Sequence, residues 1–155
     1  MKMNKLILPM TAASLFSLST VATAADFNAN ANVEIVTAVS IDETTQIDFG
    51  TLTNENGTCT MAANGALTGS AGQTCTGTET PAVFTVTGTA GKVVDVSVTA
   101  GAAVGGVTYN PVIDGAGSRT LTGGTATVGV IGNLVLSSAT DGDKNIAYTF
   151  TANYQ

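Results

Sequence analysis

The residue types that carry most enzyme chemistry are scarce in this chain of 155 residues. It has no histidine, five basic residues and eleven acidic residues. Without histidine, neither a serine–histidine–aspartate triad nor a histidine-ligated zinc site can form. The neighbouring carboxylates Asp42 and Glu43 lie in a predicted turn, where solvated charges are more common than a general acid–base pair. We therefore expect no catalytic residue and no cofactor.

Cys59 and Cys75 are the only two cysteines. In an exported protein such a pair forms a disulfide by default, and closing a loop of this length stabilises a fold by about 3 kcal/mol in the chain-entropy model. A metal or redox pair is the alternative, but the cysteines have no CxxC spacing and no histidine to accompany them. The sequence therefore predicts one disulfide, Cys59–Cys75.

A third candidate for chemistry is the segment Asp141–Asn145. Its oxygen-bearing side chains, Asp141, Asp143 and Asn145, alternate along the chain, as they do at the start of some calcium-binding loops. The glycine of the sharp turn and the distal glutamate of an EF-hand are missing. The alternative is a polar turn that leads into the last strand, and we expect this turn and no metal site.

The first 24 residues have the pattern of a secretory signal peptide. Lys2 and Lys5 precede a short apolar run, and Ala22 and Ala24 supply the small residues that a signal peptidase recognises. We predict cleavage after Ala24, with Ala25 or Asp26 as the nearest alternatives. No later stretch is long and apolar enough to span a bilayer, so the mature protein is expected to be exported without a membrane span.

Removal of this segment makes the chain more acidic. Its remaining basic residues are Lys92, Arg119 and Lys144, which against eleven acidic residues give a formal charge of −8. A chain of this charge has no basic surface for nucleic acid or for an anionic membrane. Its length of roughly 130 residues suits one domain with a core of its own.

Both ends of the mature chain alternate strictly between apolar and polar residues, which is typical of a half-buried strand. The apolar members at the C-terminal end are Ile146, Tyr148, Phe150, Ala152 and Tyr154. The apolar members at the N-terminal end are Phe27, Ala29, Ala31, Val33 and Ile35. The sequence therefore predicts an amphipathic strand at each end.

Between the two ends, short apolar runs alternate with glycine-rich turns. They predict roughly eight to ten strands in all and no helix, which is typical of an antiparallel β-sandwich. The runs Val83–Thr87 and Val94–Val98 flank a glycine-containing turn and predict a hairpin. This all-β fold would position any functional residue on a strand or in a turn.

Three further segments carry specific expectations. The run Val107–Val112 contains Pro111, which cannot donate a ladder hydrogen bond and so predicts an edge strand. Residues 128–130 and 134–136 predict two short strands on either side of a Gly-Asn pair. Residues 53–77 are rich in glycine, asparagine and threonine and have the weakest strand pattern of the chain.

The terminal patterns resemble those of bacterial chaperone–usher pilins. The alternation that ends at Tyr154, just before Gln155, looks like the C-terminal motif of that family. Gly142 occupies the position of the glycine that precedes this motif. The run Phe27–Ile35 resembles the N-terminal donor extension of the same family.

The body of the chain is similar to a family of fimbrial-like exported bacterial proteins whose function is unassigned. Three segments carry this likeness: Ile47–Gly50, Ala82–Gly88 and Tyr148–Tyr154. One feature departs from standard pilins, because Cys59 and Cys75 are closer together in the sequence than the pilin disulfide pair. This departure puts the strand topology of residues 53–77 in question.

The resemblance implies an immunoglobulin-like sandwich that lacks its last strand and so exposes an apolar groove. A periplasmic chaperone would fill the groove first, and at an outer-membrane usher the N-terminal extension of the next subunit would replace the chaperone. Residues 25–36 would be the donor extension and residues 37–155 the sandwich domain. The groove and C-terminal strand would comprise Gly142, Ile146, Tyr148, Phe150, Ala152 and Tyr154.

On this interpretation the protein is a structural subunit of a surface fimbria that supports adhesion or biofilm formation, with copies of itself or related subunits as partners. One alternative is that Phe27–Ile35 forms the first strand of its own domain and closes a monomeric sandwich. Such a monomer would be a binding module, for example an adhesin that recognises a surface ligand through loops 101–106 or 137–144.

Overall fold

The structure is a computed structural model that describes residues 25–70, 72–75 and 78–155. The predicted signal peptide, residues 1–24, lies outside the described residues. Within the described residues the fold is all-β and contains no helix, hence none long and apolar enough to cross a membrane. The described strands are β1 (Ser40–Thr45), β2 (Gly57–Met61), β3 (Leu67–Ser70), β4 (Ala82–Thr87), β5 (Val93–Ala100), β6 (Val107–Ile113), β7 (Ser118–Thr120), β8 (Thr125–Leu136) and β9 (Tyr148–Tyr154).

Two antiparallel sheets pack face to face. The large sheet has the order β1-β4-β8-β2-β3, with β6 also paired to β8, and the small sheet has the order β7-β5-β9. Alternating side chains of both sheets point inward, as in Val86 and Val128 from the large sheet and Val94 and Ala152 from the small one. The structure therefore confirms the predicted antiparallel β-sandwich.

Strand β8 organises the large sheet because three strands pair with it. Its first half pairs with β4, and its second half pairs with β2 on the same edge and with β6 on the opposite edge. Gly132 lies where the partner changes from β4 to β2, and a Cβ there would be 2.2 Å from the backbone oxygen of Asn110. Only glycine allows β6 to approach so closely at this point.

Two of the strand predictions are wrong. Strands β4 and β5 do not form a hairpin, because β4 pairs with β1 and β8 whereas β5 pairs with β7 and β9. The turn between them crosses from one sheet to the other, so both apolar faces bury against the same core. Residues 128–130 and 134–136 belong to the single strand β8 rather than to two short strands.

Of two other segments, one has the predicted structure and one contains strands that the sequence did not predict. Strand β6, which contains Pro111, pairs only with β8 and is an edge strand as predicted. Residues 53–77 had the weakest strand pattern, yet they contain the hairpin of β2 and β3. Its turn includes Gly65 at φ +82°, a left-handed backbone conformation that glycine adopts without strain.

The disulfide Cys59–Cys75 is present, as predicted. It joins β2 to the segment after β3, with the two Cα atoms 5.8 Å apart. Both cysteines are buried with Met61 and Leu67 in one cluster of the core. The bond therefore joins the segment after β3 to β2 inside this cluster.

The compact unit formed by the sandwich begins at Glu34 and ends at Gln155. Residues 25–33 precede this unit, and we call them the arm. No strand is present over residues 25–39. The run Phe27–Ile35 therefore does not form the first strand of its own domain in this structure.

Reducing the disulfide should lower the free energy of unfolding by about 3 kcal/mol, because the unfolded chain regains the freedom of the loop between the cysteines. Urea unfolding of the domain with and without reductant measures this difference. A matched control is Leu121→Ala, which should destabilise the oxidised and reduced proteins equally because Leu121 lies in a different core cluster. Equal unfolding midpoints with and without reductant would contradict the prediction.

Candidate functional site

The C-terminal strand β9 has one paired edge and one unpaired edge. It pairs with β5 alone among the described strands, and the N–H of Gln155 donates to the backbone oxygen of Val93 at 3.1 Å. Because paired and unpaired positions alternate along an antiparallel ladder, every second residue of β9 directs its backbone N–H and C=O away from β5. These residues are Tyr148, Phe150, Ala152 and Tyr154.

The unpaired edge of β9 faces β1, the edge strand of the large sheet. The hydroxyl of Tyr148 donates to Oε1 of Glu43 in β1 at 3.2 Å, and the ring of Phe150 stacks on Phe84 of the adjacent strand β4. No described backbone pairing joins β1 to β9. On its inward face β1 carries Ile41, which is 42% exposed. We call the opening between these two strands the lateral cleft.

The lateral cleft widens beyond Tyr148 into a groove of about 770 Å³. Its banks are residues 46–54 and residues 139–147, which follow β1 and precede β9. The floor is formed by apolar and aromatic residues of the core, namely Phe49, Val107, Tyr109, Leu134 and Leu136. An apolar floor between two polar banks suits a ligand or a peptide segment with alternating side chains.

Aromatic rings dominate the part of the groove nearest β9. The rings of Tyr109 and Tyr148 meet edge to face with centroids 5.3 Å apart, and Phe49 packs against Tyr109 in the same manner at 5.8 Å. The hydroxyl of Tyr109 donates to the backbone oxygen of Ile131 at 2.8 Å. The disulfide lies in the same core cluster as Tyr109, so it supports the groove floor from below.

The bank that precedes β9 is held in place by its own side chains. The ammonium of Lys144 donates to the backbone oxygens of Asp141 at 3.0 Å and Gly142 at 2.7 Å, and Asn54 donates to Oδ1 of Asp141 at 2.9 Å. The Lys144 ammonium thus holds the turn that precedes β9 from within. The described residues also contain no group of three or more histidine, cysteine or acidic residues able to hold a metal ion.

The structure places the predicted C-terminal residues as follows. Gly142 lies on the groove bank with φ +96°, a left-handed conformation that favours glycine. Ile146 and Tyr148 line the groove, whereas Phe150 and Ala152 pack inward farther along β9. Tyr154 lies at the end of β9, where its hydroxyl donates to the backbone oxygen of Thr37 at 2.7 Å.

The predicted N-terminal residues are exposed. The large ones are Phe27, Val33 and Ile35, with exposed fractions of 90%, 83% and 88%. The small ones, Ala29 and Ala31, are exposed as well. The apolar face predicted for this run therefore has no cover within the described chain.

Sequence reasoning did not identify Glu43 and Tyr109 as residues of the site. Asp42 and Glu43 were assigned to a turn, but both lie in β1, and Glu43 reaches across the lateral cleft to Tyr148. An edge strand accommodates charged side chains, which is why its pattern did not look like a strand. Tyr109 lies within the predicted strand Val107–Val112, and its alternation with Val107 is the signal that could have placed its side chain in the core.

The two groove tyrosines make the stability of the domain sensitive to alkaline pH. Burial raises the pKa of Tyr109, with a smaller effect from nearby Tyr148. Burial also raises the pKa of Tyr148, and Glu43 adds to this effect by its charge and its hydrogen bond. Each tyrosine therefore stays neutral in the folded state at a pH where it ionises in the unfolded state.

We expect the free energy of unfolding to be unaffected by these tyrosines below about pH 10 and to fall as the pH rises further, because the unfolded state then releases protons that the folded state keeps. Urea midpoints measured from about pH 8 to about pH 11 test this expectation. The double variant Tyr109→Phe with Tyr148→Phe should show a shallower decline. If the free energy of unfolding of that variant fell equally steeply with pH, Tyr109 and Tyr148 would not be the cause of the decline.

Comparison with known proteins gives one match. The family model described as a domain of unknown function (DUF4402) matches residues 39–154. No curated protein and no solved structure matches the chain. The matched region contains all nine described strands and leaves out residues 25–38. The chain therefore belongs to the DUF4402 family.

Proposed function

We propose that the protein is a structural subunit that assembles into a surface fimbria or fibre by β-strand donation. The apolar arm of one copy would lie along the unpaired edge of β9 in the next copy. The observation that carries this proposal is the combination of that edge, the adjacent apolar groove and an exposed arm with period-two alternation. In a monomer each of these three features would leave apolar surface or backbone hydrogen-bonding groups uncovered. In a fibre the arm of one copy would cover the edge and the groove of the next copy.

The dimensions support this arrangement. The arm, residues 25–33, would extend over about 30 Å at roughly 3.3 Å per residue. The seven residues of β9 span roughly 23 Å by the same measure. The arm is therefore long enough to cover the whole unpaired edge and to reach the groove beyond Tyr148.

The energetics also favour insertion. Full burial of Phe27 and Val33 would contribute about 1.5–3 kcal/mol each. Each ladder hydrogen bond to the open edge of β9 would add about 0.5–1.5 kcal/mol. The two alanines of the arm would suit shallow positions along the cleft, where a larger side chain would not fit.

The remaining features fit an exported fibre subunit and not an enzyme. The predicted signal peptide would direct the chain to the periplasm, where a disulfide forms readily. A periplasmic chaperone would cover the lateral cleft until an outer-membrane usher joins the subunit to the fibre. The carboxylates near the groove serve structural contacts, as Glu43 does with Tyr148 and Asp48 does with the N–H of Gly50. Adhesion and biofilm formation would follow from the fibre.

A second candidate function rests on the groove itself. A volume of about 770 Å³ lined by Tyr148 and Lys144 is large enough for a small ligand of the cell surface. The protein would then be a monomeric binding module. This alternative requires a soluble monomer whose groove stays open to its ligand.

Removal of the arm distinguishes the two functions. The chain from Ala25 should form oligomers that persist in unheated SDS and dissociate on boiling, because each joint has a complete strand ladder. The chain from Glu34 should remain monomeric, since it keeps the cleft and lacks the donor. Size-exclusion chromatography with light scattering and gel electrophoresis measure both. A monomeric chain from Ala25 would overturn strand donation and favour the binding module.

Two substitutions on opposite faces of the arm provide a sharper test. Val33→Asp places a charge on the apolar face and should abolish the SDS-resistant oligomers, because a buried unpaired carboxylate is strongly destabilising. Asn32→Asp adds the same charge on the polar face and should leave the oligomers intact. Equal behaviour of the two variants would mean that the arm is not inserted as an alternating strand.

A further inference from the structure

The chain enters the domain at the end of the small sheet where β5 begins and β9 ends. Glu34, the first residue of the compact unit, forms an ion pair with Lys92 in which Oε1 and Nζ are 2.6 Å apart. Lys92 immediately precedes β5, and β5 borders β9 on its paired edge. Val36 lines a shallow hollow together with Lys92 and Gln155. Residues 34–36 therefore lie at the end of the small sheet where β5 begins and β9 ends.

The next residue is tied down from two directions. The N–H of Thr37 donates to Oγ1 of Thr89 at 2.7 Å, and the hydroxyl of Tyr154 donates to the backbone oxygen of Thr37 at 2.7 Å. The same hydroxyl accepts a hydrogen bond from the N–H of Thr89 at 2.6 Å. We call these contacts, together with the ion pair of Glu34 and Lys92, the root clamp.

The position of the Tyr154 hydroxyl depends on a glycine. A Cβ on Gly88 would lie 2.3 Å from the hydroxyl oxygen of Tyr154. Any larger residue at position 88 would displace the hydroxyl from Thr37 and Thr89. The turn after β4 is thus shaped to receive the tyrosine that ends β9, and the chain crosses the end of β9 at a defined place.

We propose that the root clamp prevents the arm from entering the lateral cleft of its own domain and so commits it to the cleft of a second copy of this chain. The inference rests on the proposed function. To reach its own cleft, the chain would have to reverse direction at residues 34–37 and run back along the unpaired edge of β9. The ion pair and the hydrogen bonds of the root clamp oppose this reversal.

Charge reversal tests the proposal with an internal control. Glu34→Lys places two ammonium groups together and should raise the fraction of stable monomer about two- to fivefold, the range expected for an exposed ion pair. Combining it with Lys92→Glu restores an ion pair of opposite polarity and should restore the wild-type distribution. Adding Tyr154→Phe to Glu34→Lys removes two further hydrogen bonds and should raise the monomer fraction about tenfold or more.

The proposal also requires that the arm of such a monomer fills the cleft of the same chain. Hydrogen exchange on the monomer peak should reveal protected amides over residues 27–33 in the Glu34→Lys variant, whereas a monomer with a free arm exchanges these amides rapidly. Thermal unfolding of each variant establishes that the domain is folded, since Glu34 and Lys92 are partly exposed and can be substituted without opening the core.

The outcomes separate this inference from the proposed function. Oligomers in the wild type with an unchanged monomer fraction in every clamp variant would overturn the root clamp and leave strand donation standing. A monomer whose arm exchanges rapidly would also overturn it, because loss of the clamp would then only weaken assembly. Absence of oligomers in the wild type itself would overturn strand donation.

Discussion

The unpaired edge of β9 is the constraint on which the rest of the structure depends. Backbone N–H and C=O groups are obligatory hydrogen-bonding groups, and a strand edge beside an apolar groove can pair with another chain. In this sandwich the edge belongs to the last strand, and its inward side chains already contribute to the core. Among the described strands the domain thus leaves one edge of β9 without a backbone partner.

The elements around this edge cooperate to keep it accessible. Strand β8 carries three partners and makes the large sheet wide, so that β1 lies at its margin opposite β9. The disulfide supports the groove floor, and Lys144 holds the bank that precedes β9. The two tyrosines Tyr148 and Tyr154 connect β9 to the segment containing β1 at either end of the cleft. Contacts at the groove floor, at the bank before β9 and at both ends of β9 therefore define the lateral cleft.

Strand donation and the root clamp, as proposed above, require different properties of the same residues. Strand donation requires only that the arm and the cleft match in length, pattern and burial. The proposed root clamp would add a reason for the arm to pair with another copy and not with its own domain. Tyr154 belongs to both, since its ring packs with the core of the sandwich and its hydroxyl holds Thr37.

Local patterns in the sequence were sufficient for the fold class, the disulfide, the edge strand with Pro111 and the C-terminal strand, because period-two alternation and turn residues act over a few neighbours. The strand predicted at the N-terminal end is wrong for this structure, since residues 25–39 contain none. These local patterns could not determine which strands pair with one another. That β4 and β5 lie in different sheets, that β8 is continuous, and that Glu43 faces Tyr148 depend on contacts between residues far apart in the chain. Such contacts arise from how the two sheets bury a common core, and so only the tertiary structure decided the position of the cleft and of the root clamp.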